Sequence, residues 1–330
     1  MPTKSKTTRT ITYKRVAGYS TATLEALLRL AVKNQCTAGQ RKKDVSFAKD
    51  GENFHLLADF LTEQDFFAGV LCSYSPGRHQ QVFSVEDDAE KIPLAAIKPP
   101  TIQKDGKELQ QEFLEGCLYF LAKGNHLILS QSAALRVGNA ESYFNWLLWE
   151  KANLHQNQTP IPLLYLKDEL PPDKAAKIQY VKNLTIANDI KLPAMAKGDD
   201  TETKSFAIAP KGPIWEALLK IIPSLPKELS LAHALAAEVI QASLTLKIGR
   251  KGKDADIFID AIATAARNQD DLDYTIDMGK YGKLKNNDFK LSTSHIFQVT
   301  NGQVNQDSIF RRMLEWLNEL AEVKRIHQRV

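Results

Sequence analysis

The sequence predicts an α+β protein, with an N-terminal antiparallel sheet unit that carries packed helices and a C-terminal unit of alternating strands and helices. Three observations predict this class. After about residue 34, the spacing of apolar residues changes from the helical period of about 3.6 to the strand period of about 2. The strand-like runs that follow are joined by short turns, which favours antiparallel pairing. Beyond residue 205, strand and helix patterns alternate along the chain.

The N-terminal elements are predicted from apolar spacing and from turn and capping residues. A flexible basic arm precedes a strand over 11–18, and Ser20 is expected to cap a helix over 21–34. Asn139 is expected to cap a later helix, which packs on the sheet. The predicted strands between these two helices span residues 44–49, 54–62, 66–75, 82–86, 112–122 and 126–132.

Polar and proline-rich stretches predict the domain boundaries. The main one lies at residues 155–172, which contain four prolines. The predicted organisation is an α+β domain over 1–155, a linker with connecting strands over 156–204, and a basic α+β region over 205–330. In the last region helices are expected from Pro213, over 230–242, over 255–268 and over 308–328, with strands over 244–250, 272–279 and 289–300.

The composition is ordinary for a globular protein, with 43% hydrophobic and 25% charged residues in a chain of 330. Apolar runs are too short for a membrane span, and the basic N-terminus lacks the apolar segment of a secretory signal. The cysteines, Cys36, Cys72 and Cys117, are odd in number and show no C-x-x-C spacing. This argues against a disulfide framework and a zinc site and predicts the reducing cytoplasm, with Cys72 and Cys117 as inert core thiols.

The positive charge of the chain is concentrated in three short stretches. The net charge is only +4, yet residues 1–15, 247–253 and 278–290 carry +5, +4 and +3, so the rest of the chain is acidic. The last two stretches contain glycines, which let a backbone approach a phosphate closely. This pattern predicts a polyanion site. The candidate DNA-binding residues are Arg15, Lys247, Arg250, Lys251, Lys253, Lys280, Lys283, Lys285 and Lys290.

These basic segments are expected to contact phosphates and not bases, because the sequence contains no pattern typical of a recognition helix. An alternative is a metal-dependent nuclease in which Asp254, Asp256 and Asp260 hold Mg²⁺. A helix cap and a helix dipole explain the same aspartates. Asn125-His126 is a second catalytic candidate, although a hydrogen-bonded hairpin histidine explains it better. A third possibility is a scaffold whose basic loops engage an acidic protein or anionic lipid.

The order of elements from about Ser205 onward resembles that of the RexA phage-exclusion proteins of lambda-type temperate phages. The matching pieces are SFAIAP, PIWEALLKIIPSL, LTLKIGRKGK, DADIFIDAIATAA, DLDYTIDMGKYGKLK, DFKLSTSHI and a terminal helix. The resemblance implies a cytoplasmic, dimeric DNA-binding protein in antiphage defence, without established enzymatic activity. We therefore expect sequence-independent binding of double-stranded DNA, with no cofactor and no small-molecule substrate. It also implies a sensor role, coupled to a membrane effector protein encoded nearby. The lysines at 247–253 and 280–290 would then form the DNA surface.

Overall fold

The chain forms a mixed α+β fold with a curled antiparallel sheet, and this confirms the α+β class predicted from the sequence. The computed structural model describes residues 4–18, 22–46, 51–83, 94–154, 163–168, 183–191, 206–208, 229–231, 239–247, 273–277, 279–285, 290–323 and 326. The chain divides into two compact units. The first unit contains Met1–Leu166 and Ser292–Val330, and the second unit contains Lys167–Leu291.

The described strands and helices are numbered in chain order. The strands are β1 (Lys4–Ala17), β2 (Lys42–Asp44), β3 (Phe54–Thr62), β4 (Phe67–Tyr74), β5 (Gln80–Phe83), β6 (Leu94–Ile97), β7 (Thr101–Lys104), β8 (Lys107–Gln110), β9 (Leu114–Lys123), β10 (His126–Ser130), β11 (Tyr165–Lys167), β12 (Asn183–Lys191), β13 (Phe206–Ile208), β14 (Leu229–Leu231), β15 (Val239–Lys247), β16 (Asp273–Asp277), β17 (Lys283–Lys285), β18 (Ser292–Thr300) and β19 (Gln303–Val304). The helices are α1 (Leu24–Asn34), α2 (Val137–Asn145) with a π-helical continuation (Trp146–Lys151), and α3 (Gln306–Glu322). Two 3-10 turns span Gly39–Arg41 and Gly279–Tyr281.

The main sheet of the first unit has the order β19-β18-β1-β10-β9-β4-β3-β2, and β11 also pairs with β1. The neighbours along this path are antiparallel. Strand β1 lies inside the sheet, since it pairs with β18 from Lys4 to Thr12 and with β10 from Thr12 to Arg15. The prediction of a flexible basic arm before a short strand is therefore wrong from Lys4 onward.

Helices pack on both faces of this sheet. Tyr119 and Phe120 are consecutive on β9, so their side chains point to opposite faces. The Phe120 ring meets the Phe144 ring of α2 at 5.1 Å, and the Tyr119 ring meets the Phe310 ring of α3 at 6.3 Å. Strand β9 is thus covered on both faces, which explains its nearly continuous apolar run.

Helix α1 begins where its cap and a neighbouring hairpin hold its first turn. The Thr23 hydroxyl accepts a hydrogen bond from the Ala26 N–H, in place of the predicted Ser20 cap, which lies outside the described residues. The Leu24 N–H donates to Asn125 Oδ1 at 2.9 Å. The second of these bonds joins the helix to the hairpin between β9 and β10.

The second unit contains a four-stranded antiparallel sheet of order β15-β12-β16-β17 and the separate pair β13-β14. The helix predicted over 230–242 is wrong at both ends, since β14 and β15 occupy 229–231 and 239–247. The helices predicted from Pro213 and over 255–268 lie outside the described residues.

The two-unit division differs from the predicted scheme of 1–155, 156–204 and 205–330. Strand β18 and helix α3 confirm the strand and helix expected near the end of the chain. However, β18 pairs with β1, so both elements belong to the first unit. Within the described part of the chain, no helix combines the length and apolarity needed to cross a membrane.

Candidate nucleic-acid interface

The structure forms a compact hairpin that includes part of the third predicted basic stretch, residues 278–290. We define the basic hairpin as the described residues 273–277 and 279–285, which comprise β16, the 3-10 turn and β17. The Asp277 carboxylate accepts a hydrogen bond from the Gly279 N–H at 2.8 Å, and the Gly282 N–H donates to the Gly279 carbonyl at 3.1 Å. Both glycines have positive φ, 63° and 92°, which a side chain would disfavour. The local sequence therefore specifies this tight turn.

The basic hairpin presents lysines to solvent. Lys280 in the turn and Lys283 and Lys285 on β17 are exposed, whereas Lys290 is half-buried. Lys283 and Lys285 are two residues apart on one strand, so they share a face and lie about 7 Å apart along it. Exposed lysines at this spacing place positive charges where neighbouring phosphates could bind.

The strand register continues this polar surface across the sheet. Lys283 lies opposite Asp277, Asp277 lies opposite Asn183, and Asn183 lies opposite Lys247. Directly opposite residues share a face, so Lys247 and Lys283 belong to one face, three strand spacings or about 14 Å apart. The next row on that face contains Lys285, Thr275, Thr185 and Thr245.

The row between these two polar rows consists of apolar residues. Between the two polar rows, the register aligns Leu284, Ile276, Leu184 and Leu246. Because strand residues alternate between faces, the sheet has one apolar face and one polar face that contains the lysines. Threonine and asparagine, which lie between the lysines in this register, are typical phosphate-contacting residues. The acid in the same row, Asp277, accepts the hydrogen bond from the Gly279 N–H.

Three other predicted residues of this surface, Arg250, Lys251 and Lys253, lie outside the described residues. The same applies to the Asp254, Asp256 and Asp260 cluster of the nuclease alternative. Among the described residues, no three His, Cys, Asp or Glu side chains are grouped closely enough to hold a metal ion. The structure thus brings Lys247, Lys280, Lys283 and Lys285 to one sheet.

Arg15 belongs to the first unit and not to this sheet. It lies on β1 opposite His126, it is half-buried, and its Nη1 atom is buried. Its neighbour Lys14 is only 1% exposed. These basic residues are therefore part of a sheet interior, where a strand pairs on both sides, and they do not form the flexible phosphate-binding arm that the charge pattern suggested.

His126, at the start of β10 in the β9–β10 hairpin, has a structural role. It is fully buried, and its Nδ1 lies 2.8 Å from the hydroxyl of Tyr13, which is also fully buried. A buried imidazole needs such a hydrogen-bond partner. This contact supports the structural interpretation of Asn125-His126 over the catalytic one.

The first unit also has an open cleft of about 470 Å³ between the β3–β4 turn and the start of α3. Its lining includes the acids Glu63, Asp65 and Asp307 and one basic residue, Arg311. Such an acidic lining repels phosphates. The lysine-bearing sheet of the second unit is therefore the better candidate for polyanion binding.

No protein-family model matches the chain, and the search of curated proteins found no match either. The function proposed for this chain therefore rests on the residues and geometry of the site itself. Sequence reasoning found the lysines but missed Asn183 and the threonines between them. Their alternation with Leu184 and Ile186 is visible in the sequence, but only the register shows which residues of other strands complete the surface.

Proposed function

We propose that the polar face of the second unit's sheet binds the phosphates of double-stranded DNA without sequence preference. One observation carries this proposal: the register puts Lys247 and Lys283 in one row, next to the exposed Lys280 and Lys285. Lysine charges bind phosphates and carry no information about bases. Arg250, Lys251 and Lys253 follow β15 directly in sequence and would extend the same surface.

We further propose that the protein is a cytoplasmic, dimeric DNA sensor that acts in phage exclusion and signals to an effector protein at the membrane. The resemblance of residues 205–330 to the RexA proteins supports this role. It also supports a non-enzymatic protein whose C-terminal part alternates strands and helices. The basic segments that carry the resemblance, KIGRKGK and GKYGKLK, contain six of the lysines of the proposed surface.

The direct test replaces Lys280, Lys283 and Lys285 together by Glu and measures binding to a duplex of about 40 base pairs at increasing salt concentration. The wild-type protein should bind with a steep salt dependence. The variant should bind more than about tenfold more weakly, and its slope of log K against log salt should be shallower by about 0.9 for each phosphate that the variant no longer neutralises.

A matched control replaces Lys33, Lys104 and Lys107 by Glu. These residues are exposed in the first unit, and their replacement changes the net charge equally. The control should keep wild-type affinity and slope. Equal reductions in affinity for both variants would show that only total charge matters, and absent binding by the wild type would refute the proposal. Cleavage of the duplex in the presence of Mg²⁺ would instead favour the nuclease alternative.

A further inference from the structure

Two cysteines of the main sheet are direct neighbours. Cys72 on β4 and Cys117 on β9 are opposite one another in the strand register, and their Sγ atoms are 3.7 Å apart. Opposite residues of antiparallel strands have Cα atoms about 4.5–5.5 Å apart, and disulfides need about 4.4–6.8 Å. The backbone is thus already compatible with a disulfide, and side-chain rotation alone would bring the sulfurs to about 2.05 Å.

The environments of the two thiols differ. Cys72 is buried, whereas Cys117 is half-buried and therefore the more exposed of the two. The hydrogen bond with Cys72 lowers the pKa of Cys117 to about 7. Burial raises this pKa, and the positive charge of Arg9 lowers it further. The same hydrogen bond, together with burial, raises the pKa of Cys72. Cys117 is therefore the more nucleophilic thiol near neutral pH.

Arg9 supplies a fixed positive charge beside this pair. Its guanidinium carbon lies 5.3 Å from the centroid of the Tyr119 ring, two residues from Cys117 on β9. Its Nε atom is buried and has no hydrogen-bond partner among the residues that the structure describes. A cation held beside a thiol stabilises the thiolate, and this gives the basic β1 strand a role other than phosphate binding.

We propose that Cys72 and Cys117 form a redox-active dithiol that reacts with peroxides, with Cys117 as the attacking thiol and Cys72 as the resolving thiol. This site goes beyond the proposed function and does not depend on it, since the cysteines lie in the first unit and the lysines in the second. It also replaces the prediction that these two residues are inert core thiols.

The chemistry balances with hydrogen peroxide as the oxidant. The Cys117 thiolate attacks one peroxide oxygen, the O–O bond breaks, and the second oxygen leaves as water after protonation, so that Cys117 becomes a sulfenic acid. The Cys72 sulfur then attacks the Cys117 sulfur, the S–O bond breaks, and a second water leaves with the Cys72 proton. Two thiols lose two electrons, and one peroxide is reduced to two waters.

The test exposes the reduced, full-length protein to a small excess of hydrogen peroxide and maps its cysteines by mass spectrometry after quenching. The exposed Cys36 in the same chain is an internal reference. We expect a disulfide between Cys72 and Cys117 before Cys36 is modified. Modification of Cys36 while the pair stays reduced would overturn the proposal, and this comparison needs no substitution.

Variants in a Cys36→Ser background separate the two roles. In Cys72→Ser, the sulfenic acid of Cys117 should accumulate and react with dimedone, because the resolving thiol is gone. In Cys117→Ser, Cys72 should stay reduced. Oxidation of Cys72 in Cys117→Ser at the wild-type rate would contradict the assigned roles, and circular dichroism confirms that each variant is folded.

Substitutions of Arg9 test whether its positive charge stabilises the Cys117 thiolate. Arg9→Gln should shift the pH at half-maximal oxidation rate upward, whereas Arg9→Lys should keep it near the wild-type value. A purely structural role for Arg9 would change stability without moving this pH profile. An unchanged profile in Arg9→Gln would therefore remove Arg9 from the site.

Discussion

Buried polar side chains of the first unit are held by specific hydrogen bonds. The Tyr143 hydroxyl donates to the Arg41 carbonyl at 2.6 Å and accepts from the Leu57 N–H at 3.1 Å. Burial raises the pKa of this phenol. These bonds join α2 to β3 through residues that are far apart in sequence. Periodicity predicts that Tyr143 faces the sheet, but it cannot identify the backbone groups that satisfy its hydroxyl.

His55 makes stability sensitive to acid. It is buried on β3, and burial, with the nearby Lys43 charge, lowers its pKa, whereas Glu115 opposes the shift. The unfolded chain then binds the proton more readily, so the free energy of unfolding should fall as pH drops below about 6.5, the unfolded value, toward the lower folded pKa. Urea denaturation at about pH 7.5 and about pH 5.5 measures this change.

The variant His55→Gln should reduce the difference between these two pH values. The matched control is His79→Gln, since His79 is exposed and its replacement should leave the pH dependence as in the wild type. An equal pH dependence in wild type and His55→Gln would assign the acid sensitivity to other groups.

At the scale of elements, apolar periodicity predicts best where an element is strongly buried on one face or both. Strands β3, β4, β9 and β10 and helix α3 follow their patterns closely. Strands β7 and β8 were missed, because all their residues are exposed and no burial marks them. The apolar run at 230–242 suits a helix or a strand equally, and pairing of β15 with β12 decides it.

Gly69 is expected to be essential to the packing of β4. A Cβ at this position would lie 2.7 Å from Phe120 Cζ and 2.9 Å from Leu57 Cδ1, so side chains from both neighbouring strands occupy its place. Gly69→Ala should lower the free energy of unfolding by about 1–3 kcal/mol through overpacking. Urea denaturation gives the value, and Gly39→Ala, with no atoms near its Cβ, is the control and should be near neutral. A neutral Gly69→Ala would show that the two side chains move aside at little cost.

At the scale of the whole molecule, the end of the chain returns to its beginning. Nine residue pairs join β1 to β18 from Lys4–Thr300 to Thr12–Ser292. Helix α3 then buries an apolar stripe, which consists of Ile309, Phe310, Met313, Trp316, Leu317 and Leu320. The first unit is therefore completed by residues that follow the second unit in sequence.

This connectivity predicts how truncated chains behave. A fragment of residues 1–204 lacks β18 and α3, so it should lose cooperative unfolding because β1 has an unpaired edge and the sheet an uncovered face. A chain that joins Leu166 to Ser292 through a flexible Gly/Ser linker should retain a cooperative thermal transition. Circular dichroism during heating distinguishes the two. Cooperative unfolding of the 1–204 fragment would support the boundary predicted near residue 205.

By itself, the sequence determined the α+β class, most helices and strands of the first unit, and the lysine-rich stretches proposed to bind phosphate. These features depend on local spacing and charge, which can be determined from consecutive residues. Only the tertiary structure decided that basic β1 is an internal strand, that Lys247 shares a row with Lys283, and that Cys72 faces Cys117. Strand pairing brings together residues separated by tens or hundreds of positions. The local pattern of one strand does not identify the strand with which it pairs.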